Sequence, residues 1–238
     1  MKTILKLASA VVLLSPSFVL ADTIQLGSYA SGSAAMGNVN TAMNYAGFSA
    51  TSTAPSTGTA SSYTLNPGTA WGGPAANSTW VGYAPTAGPA GTSSPALGYY
   101  TFTTNFTAVA GLYSGTMSIL ADDTAEVLLN GSVLIPFGSL GSDAHCADGA
   151  PSCMVADMVS LNGLTLKNAN QLTFVVQQAG FGPSGSINDP SGMDFDATLA
   201  TNSPVPEPSS LALMAIGLAG LAGGVFGPKL MEARAAQQ

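Results

Sequence analysis

Two adjacent aspartates, Asp122 and Asp123, are the residues of this 238-residue chain best suited to chemistry. They follow the alternating stretch "GTMSILA", so both carboxylates are expected at the edge of a sheet, where a strand ends. Calcium takes about six to eight oxygen ligands, and paired aspartates in loops often supply them. Asp189, Asp194 and Asp196 would contribute if the last strand runs beside this turn. Aspartate also favours turns, because its side chain bonds local backbone N–H groups. We therefore predict turn formation and no cofactor, with calcium binding at Asp122 and Asp123 as the alternative.

Cys146 and Cys153, in "HCADGAPSCM", are the two cysteines of the chain. A lone pair in an exported protein usually forms a disulfide. A zinc site beside His145 is the competing interpretation, but the segment lacks the four ligands that zinc takes. We therefore predict a structural disulfide.

The sequence contains none of the common catalytic motifs. His145 is the only histidine, and we find no "GxSxG" elbow, no "HExxH" and no phosphate-binding loop. Paired carboxylates for glycoside hydrolysis could come from facing strands, but nothing selects a pair. We predict a protein that is not an enzyme. A surface hydrolase ranks third, after the two non-enzymatic roles given at the end of this subsection.

Trp71, Trp80, Tyr99 and Tyr100 could present flat faces to a sugar ring. Aromatic side chains also bury large apolar areas. We predict core packing for most of the four.

The charge distribution excludes nucleic acid as a partner. Lys167 is the single basic residue between residues 22 and 207, against eleven acidic ones, which leaves this segment with a net charge of −10. Such a surface repels phosphate backbones. It permits contact with cations or neutral sugars, and it suits a secreted protein kept soluble by repulsion.

Hydrophobic residues alternate with a period of two in several stretches between residues 99 and 200. This period predicts antiparallel strands with one buried face, and Asn130-Gly131 predicts a hairpin turn. No stretch between 22 and 200 has helical periodicity, so we predict an all-β, antiparallel jelly-roll-like sandwich. The predicted inward-facing residues are Met117, Ile119, Ala121, Ala125, Val127, Leu129, Leu172, Phe174, Val176, Met193, Phe195, Ala197 and Leu199.

The stretch "SILADDTAEVLLNGSVL" resembles the strand-turn-strand signature of galactose-binding-like jelly rolls and related sugar-binding sandwiches. The later "LTFVVQQAGFGPSGSINDPSGMDFDATL" resembles their closing strands. The resemblance covers roughly residues 70–200 and implies the fold, which hosts many functions.

The N-terminal sequence "MKTILKLASAVVLLSPSFVLADT" has the order of an export signal. Lys2 and Lys6 precede an apolar stretch too short to span a membrane comfortably, and small residues end at Ala21. We predict cleavage by signal peptidase after Ala21. A buried N-terminal helix is the alternative.

The tail "PVPEPSSLALMAIGLAGLAGGVF" combines a proline-rich strip with a short apolar helix. Pro206, Glu207 and Pro208 are expected to hold an extended strip outside the membrane. The apolar run of residues 211–226 spans roughly 24 Å as a helix, so its flanks must help to cross a hydrocarbon core of about 30 Å. Lys229 and Arg234 follow, which favours a cytoplasmic end.

This tail resembles the PEP-CTERM sorting signal of Gram-negative bacteria, with Pro206-Glu207-Pro208 as the motif. The resemblance implies handling by an exosortase, a membrane protease that cleaves near the motif, and an association with extracellular polymeric substance and biofilm. The basic residues are spread out rather than clustered as in the usual signal. An uncleaved single-pass anchor is the alternative.

These features predict an exported bacterial protein, anchored in the inner membrane during sorting and then placed on the cell surface or in the extracellular matrix. We expect a structural or adhesive role with contact to extracellular polysaccharide. A calcium-assisted, lectin-like carbohydrate-binding module is the alternative. The predicted segments are a signal peptide (1–21), N-terminal strands and loops (22–69), a β-sandwich body (70–201), a Pro-rich linker (202–208), a transmembrane helix (209–228) and a basic tail (229–238).

Overall fold

The computed structural model describes residues 23–29, 35–141, 146–180 and 189–202. Within these ranges the chain forms β-strands, and none of the described segments is a helix long and apolar enough to cross a membrane. The strands are β1 (Thr23–Gly27), β2 (Val39–Ser49), β3 (Ala60–Thr64), β4 (Val81–Gly82), β5 (Gly98–Thr107), β6 (Gly111–Asp122), β7 (Thr124–Leu129), β8 (Ser132–Ile135), β9 (Asp157–Leu166), β10 (Ala169–Gln178) and β11 (Gly192–Thr201).

The strands pair in one strongly curled antiparallel sheet. Its order is β8-β7-β10-β5-β2-β3-β4-β11-β6-β9, and β1 pairs with β11. We call β8-β7-β10-β5-β2-β3 the first limb, and β11-β6-β9 with β1 the second limb. The two-residue strand β4 joins them, because it pairs with β3 on one side and with β11 on the other.

The two limbs pack against each other over a shared core. Phe174 of β10 and Phe195 of β11 are fully buried, and their ring centroids lie 4.5 Å apart. Aromatic pairs at this separation contribute beyond the area they bury. The contact therefore ties the first limb to the second.

The predicted inward faces are confirmed. All thirteen residues of the alternating sets are buried and belong to one hydrophobic cluster. The Asn130-Gly131 hairpin is also confirmed, since it joins β7 to β8 with φ values of 52° and 86°. Both turn residues adopt positive φ, which two-residue hairpins of this kind require.

The strands β2, β4 and β9 were not predicted. Strand β4 has only two residues, and β2 and β9 lack a clear pattern for two different reasons. In β2 the register shifts between Asn40 and Asn44, so the period of two is interrupted and the buried residues include the small Ala46. In β9 only Leu161 and Leu166 are buried, because this strand pairs with β6 alone among the described strands. Neither strand therefore carries a clear alternating pattern.

The prediction of an all-β, antiparallel body is confirmed. Residues Asp22–Ser203 form one compact unit. The finer assignment to a jelly-roll sandwich, and the division of the chain into six segments, stay predictions.

Candidate metal centre

The sheet register brings Asp122, Asp123 and Asp189 to one corner. Asp122 ends β6 and pairs with Gly192, the first residue of β11. Asp123 lies between β6 and β7, and its N–H donates to the carbonyl of Gln177 near the end of β10 at 2.9 Å. The connection from β10 to β11 therefore starts and ends at this corner, and Asp189 lies within that connection.

The three aspartates form a buried carboxylate cluster. One carboxylate oxygen from each of the three lies within 4.8 Å of the other two. Asp122 and Asp123 have no exposed surface and Asp189 is 3% exposed. The peptide bond between Asp122 and Asp123 is cis. The structure thus joins the predicted pair to one of the three late aspartates.

The other two late aspartates lie elsewhere. Asp194 is fully buried and accepts a hydrogen bond from the Ser28 hydroxyl and one from the Ala75 N–H, each at 2.6 Å. Asp196 is partly exposed and lines a surface cavity. Because both sit on β11 itself, their side chains are directed by the pleat of the strand and not by the corner.

One oxygen of each paired aspartate is bonded and the other is not. Trp71 Nε1 donates to Asp122 Oδ2 at 2.5 Å. The N–H groups of Ala179 and Gly180 donate to Asp123 Oδ2 at 2.5 and 3.3 Å. Within the described ranges, Asp122 Oδ1 and Asp123 Oδ1 are buried and have no hydrogen-bond partner. Buried polar atoms usually find a partner, so these two oxygens are the ones best placed to bind a cation.

Burial and mutual repulsion oppose ionisation of the cluster. Burial, followed by the charges of Asp123 and Asp189, raises the pKa of Asp122 well above its ordinary value. Burial also raises the pKa of Asp123 to about 7, although the Ala179 N–H partly offsets this rise. Like charges held close together disfavour the charged form. A cation bound among the three carboxylates would remove this penalty.

The donor set fits calcium. Asp122 and Asp123 each present one oxygen that accepts no hydrogen bond, and Asp189 adds a third carboxylate. Oxygen is the ligand type that calcium takes, with about six to eight ligands in all, so backbone carbonyls or water would complete the coordination. Zinc in structural sites prefers nitrogen and sulfur ligands. The sulfur atoms of Cys146 and Cys153 lie beside Asp122, but they are joined to each other and are not thiolates.

The predicted disulfide is present and lies beside this corner. Cys146 and Cys153 are bonded, with their Cα atoms 5.4 Å apart. Within the loop that they close, the Ala147 N–H donates to the carbonyl of Asp123 at 3.0 Å. The bridge therefore restrains the backbone that carries the paired carboxylates.

Loss of the bridge is expected to destabilise the body. For the double variant C146S/C153S we predict a loss of roughly 2.5 kcal/mol, because an eight-residue loop is no longer closed in the unfolded chain. The melting temperature should fall by about 5–10 °C, as followed by circular dichroism. Reduction of the wild-type chain should give a similar fall. An unchanged melting temperature in both cases would contradict the role given to the bridge.

The predicted core packing of the aromatic residues is confirmed for Trp71, Trp80 and Tyr100, which are 4%, 0% and 3% exposed. Trp71 and Trp80 stack with ring centroids 4.2 Å apart, and Trp80 Nε1 donates to the carbonyl of Gly72 at 3.0 Å. Tyr99 is half-buried. Trp71 thus packs in the core and holds Asp122 at the same time, a pairing that sequence reasoning missed because the two residues lie far apart in the chain.

Several predicted residues lie outside the described ranges. They are the cleavage site Ala21, the sorting motif Pro206, Glu207 and Pro208, and the basic residues Lys229 and Arg234. The predicted signal peptide and transmembrane helix lie there as well.

The chain has remote similarity to several solved structures. The chain resembles a GH26-CBM35 β-(1,4)-mannanase of Podospora anserina with 14% identity and a TM-score of 0.32, over 77% of this chain and 29% of that chain. It resembles the PA14 domain of the MpAFP antifreeze protein with 12% identity and a TM-score of 0.27, over 75% and 81% of the two chains. A β-glucosidase of Kluyveromyces marxianus shares 13% identity, with a TM-score of 0.26, over 46% of this chain and 11% of that chain.

The C-terminal segment gives a more specific result. None of the curated proteins matches the chain. Residues 204–224 match the family described as the PEP-CTERM protein-sorting motif. This chain therefore carries a PEP-CTERM sorting motif, which implies an exported protein that an exosortase sorts to the cell surface.

Proposed function

We propose that this exported protein has a structural or adhesive, non-enzymatic role at the cell surface or in the extracellular matrix, and that its body holds one calcium ion. The observation that carries the calcium proposal is the cluster of Asp122, Asp123 and Asp189, with two buried carboxylate oxygens that lack a partner. The adhesive role rests on the sorting motif together with the acidic, nearly lysine-free body. We propose in addition that the curled sheet is a sandwich of jelly-roll type, which the packing of Phe174 on Phe195 supports.

A calcium ion would neutralise the negative charge of the carboxylate cluster, which the scarce basic side chains of the body do not do. Lys167 is the only lysine or arginine between residues 22 and 207, so protein cations are scarce near any acidic cluster. Isolated buried carboxylates are costly unless they are paired with a cation or coordinate a metal. Asp122 and Asp123 would supply their unbonded oxygens, and Asp189 would supply a third carboxylate.

The burial of the cluster favours a structural cation over one that touches a ligand. Each of the three aspartates is at most 3% exposed. The bonds from Trp71 and from the Ala179 N–H enclose the cluster further. A calcium ion here would join the β6–β7 corner to the β10–β11 connection. In the lectin-like alternative, the cation would instead share its coordination with a sugar hydroxyl.

A non-enzymatic role agrees with the placement of the described carboxylates. Acid–base catalysis needs a carboxyl group within reach of a bound substrate. Two surface cavities, described in the next subsection, are large enough for a small molecule. Among the described aspartates and glutamates, Asp196 alone lines one of them. Glycoside hydrolysis uses two such groups on opposite sides of the scissile bond.

An adhesion assay tests the proposed role. Beads coated with the full chain should be retained on extracellular matrix from the producing bacterium more strongly than albumin-coated beads, without release of reducing sugar. Release of reducing sugar would overturn the non-enzymatic role in favour of a hydrolase. Retention that both chelation and D123N abolish, in protein that stays folded, would replace the structural cation with the lectin-like one. Retention equal to that of albumin would contradict adhesion altogether.

Sorting is expected to depend on Glu207. The variant E207Q should accumulate as an uncleaved precursor in the membrane fraction, because the acidic group of the Pro-Glu-Pro strip is removed. The variant E232Q makes the same chemical change outside residues 204–224 and should be processed normally. Mass spectrometry of the C-terminus of each protein measures the outcome. Identical C-terminal masses for wild type and E207Q would refute the role of this residue in processing.

A further inference from the structure

A surface cleft shares no lining residue with the carboxylate cluster. Two adjoining cavities, of about 570 and 940 Å³, have Gln25, Leu26 and Asn105 as common lining residues, and we treat them together as one open groove. Each volume falls within the range of roughly 300–1,000 Å³ that is usual for small-molecule sites. We call this groove the amide cleft.

The cleft lies where two strands each have an edge without a paired neighbour among the described strands. Strand β1 pairs with β11 alone among the described strands, so its other edge is unpaired there. Strand β5 pairs with β2 only as far as Thr103, whereas its final residues, up to Thr107, pair with β10 on one side. The groove therefore lies between the edge of β1 and the end of β5, where a regular sheet would continue.

Side-chain amides dominate the polar part of the lining. An amide offers two N–H donors and an oxygen with two lone pairs, so it can bond a hydroxyl group as donor or as acceptor. Five of these amides are exposed and Asn170 is buried. The amide residues of the cleft are Gln25, Asn77, Asn105, Asn130, Asn170 and Gln171.

Hydrogen bonds between these amides hold them in position. Gln171 Nε2 donates to Asn105 Oδ1 at 3.1 Å, and the Gln171 N–H donates to Asn130 Oδ1 at 3.0 Å. Asn130 Nδ2 in turn donates to Asn170 Oδ1 at 3.0 Å. A ligand that binds this ladder meets side chains that are already ordered, which lowers the entropic cost of binding.

Part of the remaining lining is apolar, and almost none of it is charged. Ile24, Leu26 and Phe106 are half-buried, line the cleft and pack against the hydrophobic core. Among the lining residues, Asp196 alone is charged at neutral pH. The cleft thus lacks the arginine or lysine that recognises carboxylate or phosphate groups.

We propose that the amide cleft binds a neutral polysaccharide chain. A sugar ring carries hydroxyl groups around its rim, which can form hydrogen bonds with the amides of the cleft. The C–H groups on its faces can pack against the apolar side chains of the lining. The two adjoining cavities offer room for consecutive sugar units, and the acidic Asp196 disfavours uronic-acid polymers. Because the cleft shares no residue with Asp122, Asp123 and Asp189, binding there does not require calcium.

Affinity electrophoresis of the full chain in non-ionic detergent tests this site. The gels contain one of three neutral polysaccharides, a β-glucan, a mannan or a galactan, or the acidic polymer alginate. We expect at least one neutral polysaccharide to retard the wild-type chain, in chelator as well as in calcium, and alginate to have no effect. The double variant N105A/Q171A should need at least tenfold more polysaccharide for the same retardation, and Q25A on the opposite wall should weaken binding as well.

The matched control is N162A, which removes an exposed amide on β9 outside the cleft and should bind like wild type. Circular dichroism establishes that each variant remains folded, as expected for exposed positions. Three results would overturn the proposal: no retardation by any neutral polysaccharide, retardation by alginate alone, or equal retardation of N105A/Q171A and wild type. Neutral binding lost in chelator and in D123N but kept in N105A/Q171A would place the sugar at the calcium site instead.

Discussion

Replacing Asp123 with asparagine is expected to abolish the calcium-dependent rise in the melting temperature of the body. For the wild-type chain, calcium at about 100 times its Kd should stabilise the fold by about 2.7 kcal/mol, which corresponds to roughly 5–10 °C for a domain of this size. D123N removes one of three carboxylates while preserving the shape of the side chain. Differential scanning calorimetry at pH 8, with calcium or with chelator, measures the difference.

In the absence of calcium, the same substitution is expected to have the opposite effect on stability. The pKa of Asp123 is raised to about 7 in the folded chain, with burial as the largest cause. Ionisation of this group therefore destabilises the fold as the pH rises through that value. In chelator at pH 8, D123N should be at least as stable as wild type, and the difference should shrink at pH 5, where the carboxyl group is protonated.

The control for this prediction is D196N, which makes the same change at a partly exposed aspartate outside the cluster. It should keep the full calcium response. A calcium response of equal size in D123N and wild type would show that the ion binds elsewhere. A D123N chain that is much less stable than wild type in chelator would contradict the repulsion described for the cluster.

Replacing Phe174 with alanine is expected to reduce the free energy of unfolding by about 3–5 kcal/mol. This side chain is fully buried and packs against Phe195 from the opposite limb, with the two rings tilted by 35°. Its loss would leave a cavity between the limbs that neither limb can fill without moving. Urea unfolding followed by tryptophan fluorescence measures the effect, since Trp71 and Trp80 are buried in the folded body.

The matched control is V133A on β8, where the side chain is 54% exposed. Exposed positions of this kind usually change stability by no more than about 0.5 kcal/mol. If F174A cost less than about 1 kcal/mol, the two limbs would not share a core at this point, and the curled sheet would have to be stabilised elsewhere.

Local pattern was sufficient to predict much of the fold. The strands β6, β7, β10 and β11 place large apolar residues at every second position on the face that packs in the main core, and the Asn130-Gly131 turn has a conformation that few other residue pairs adopt. The continuous order of the sheet was not predictable in this way. It depends on β4, a strand of two residues that pairs with both β3 and β11, and such long-range pairing leaves no local signal.

The candidate site was predictable only in part. The position of Asp122 and Asp123 at a strand end could be inferred from the alternation that stops there. The choice of Asp189 over Asp194 and Asp196 depends on where β11 begins, at Gly192, because only a residue before the strand can reach the corner. Trp71 and the amide cleft could not be inferred, since both depend on contacts between segments distant in the chain.

The most direct test of the proposed calcium site is native mass spectrometry of the full chain, released from detergent after equilibration with calcium. We expect one calcium ion bound to each wild-type chain, no calcium after treatment with chelator, and no calcium on D123N. A wild-type chain that stays folded and carries no calcium at millimolar calcium concentration would contradict it.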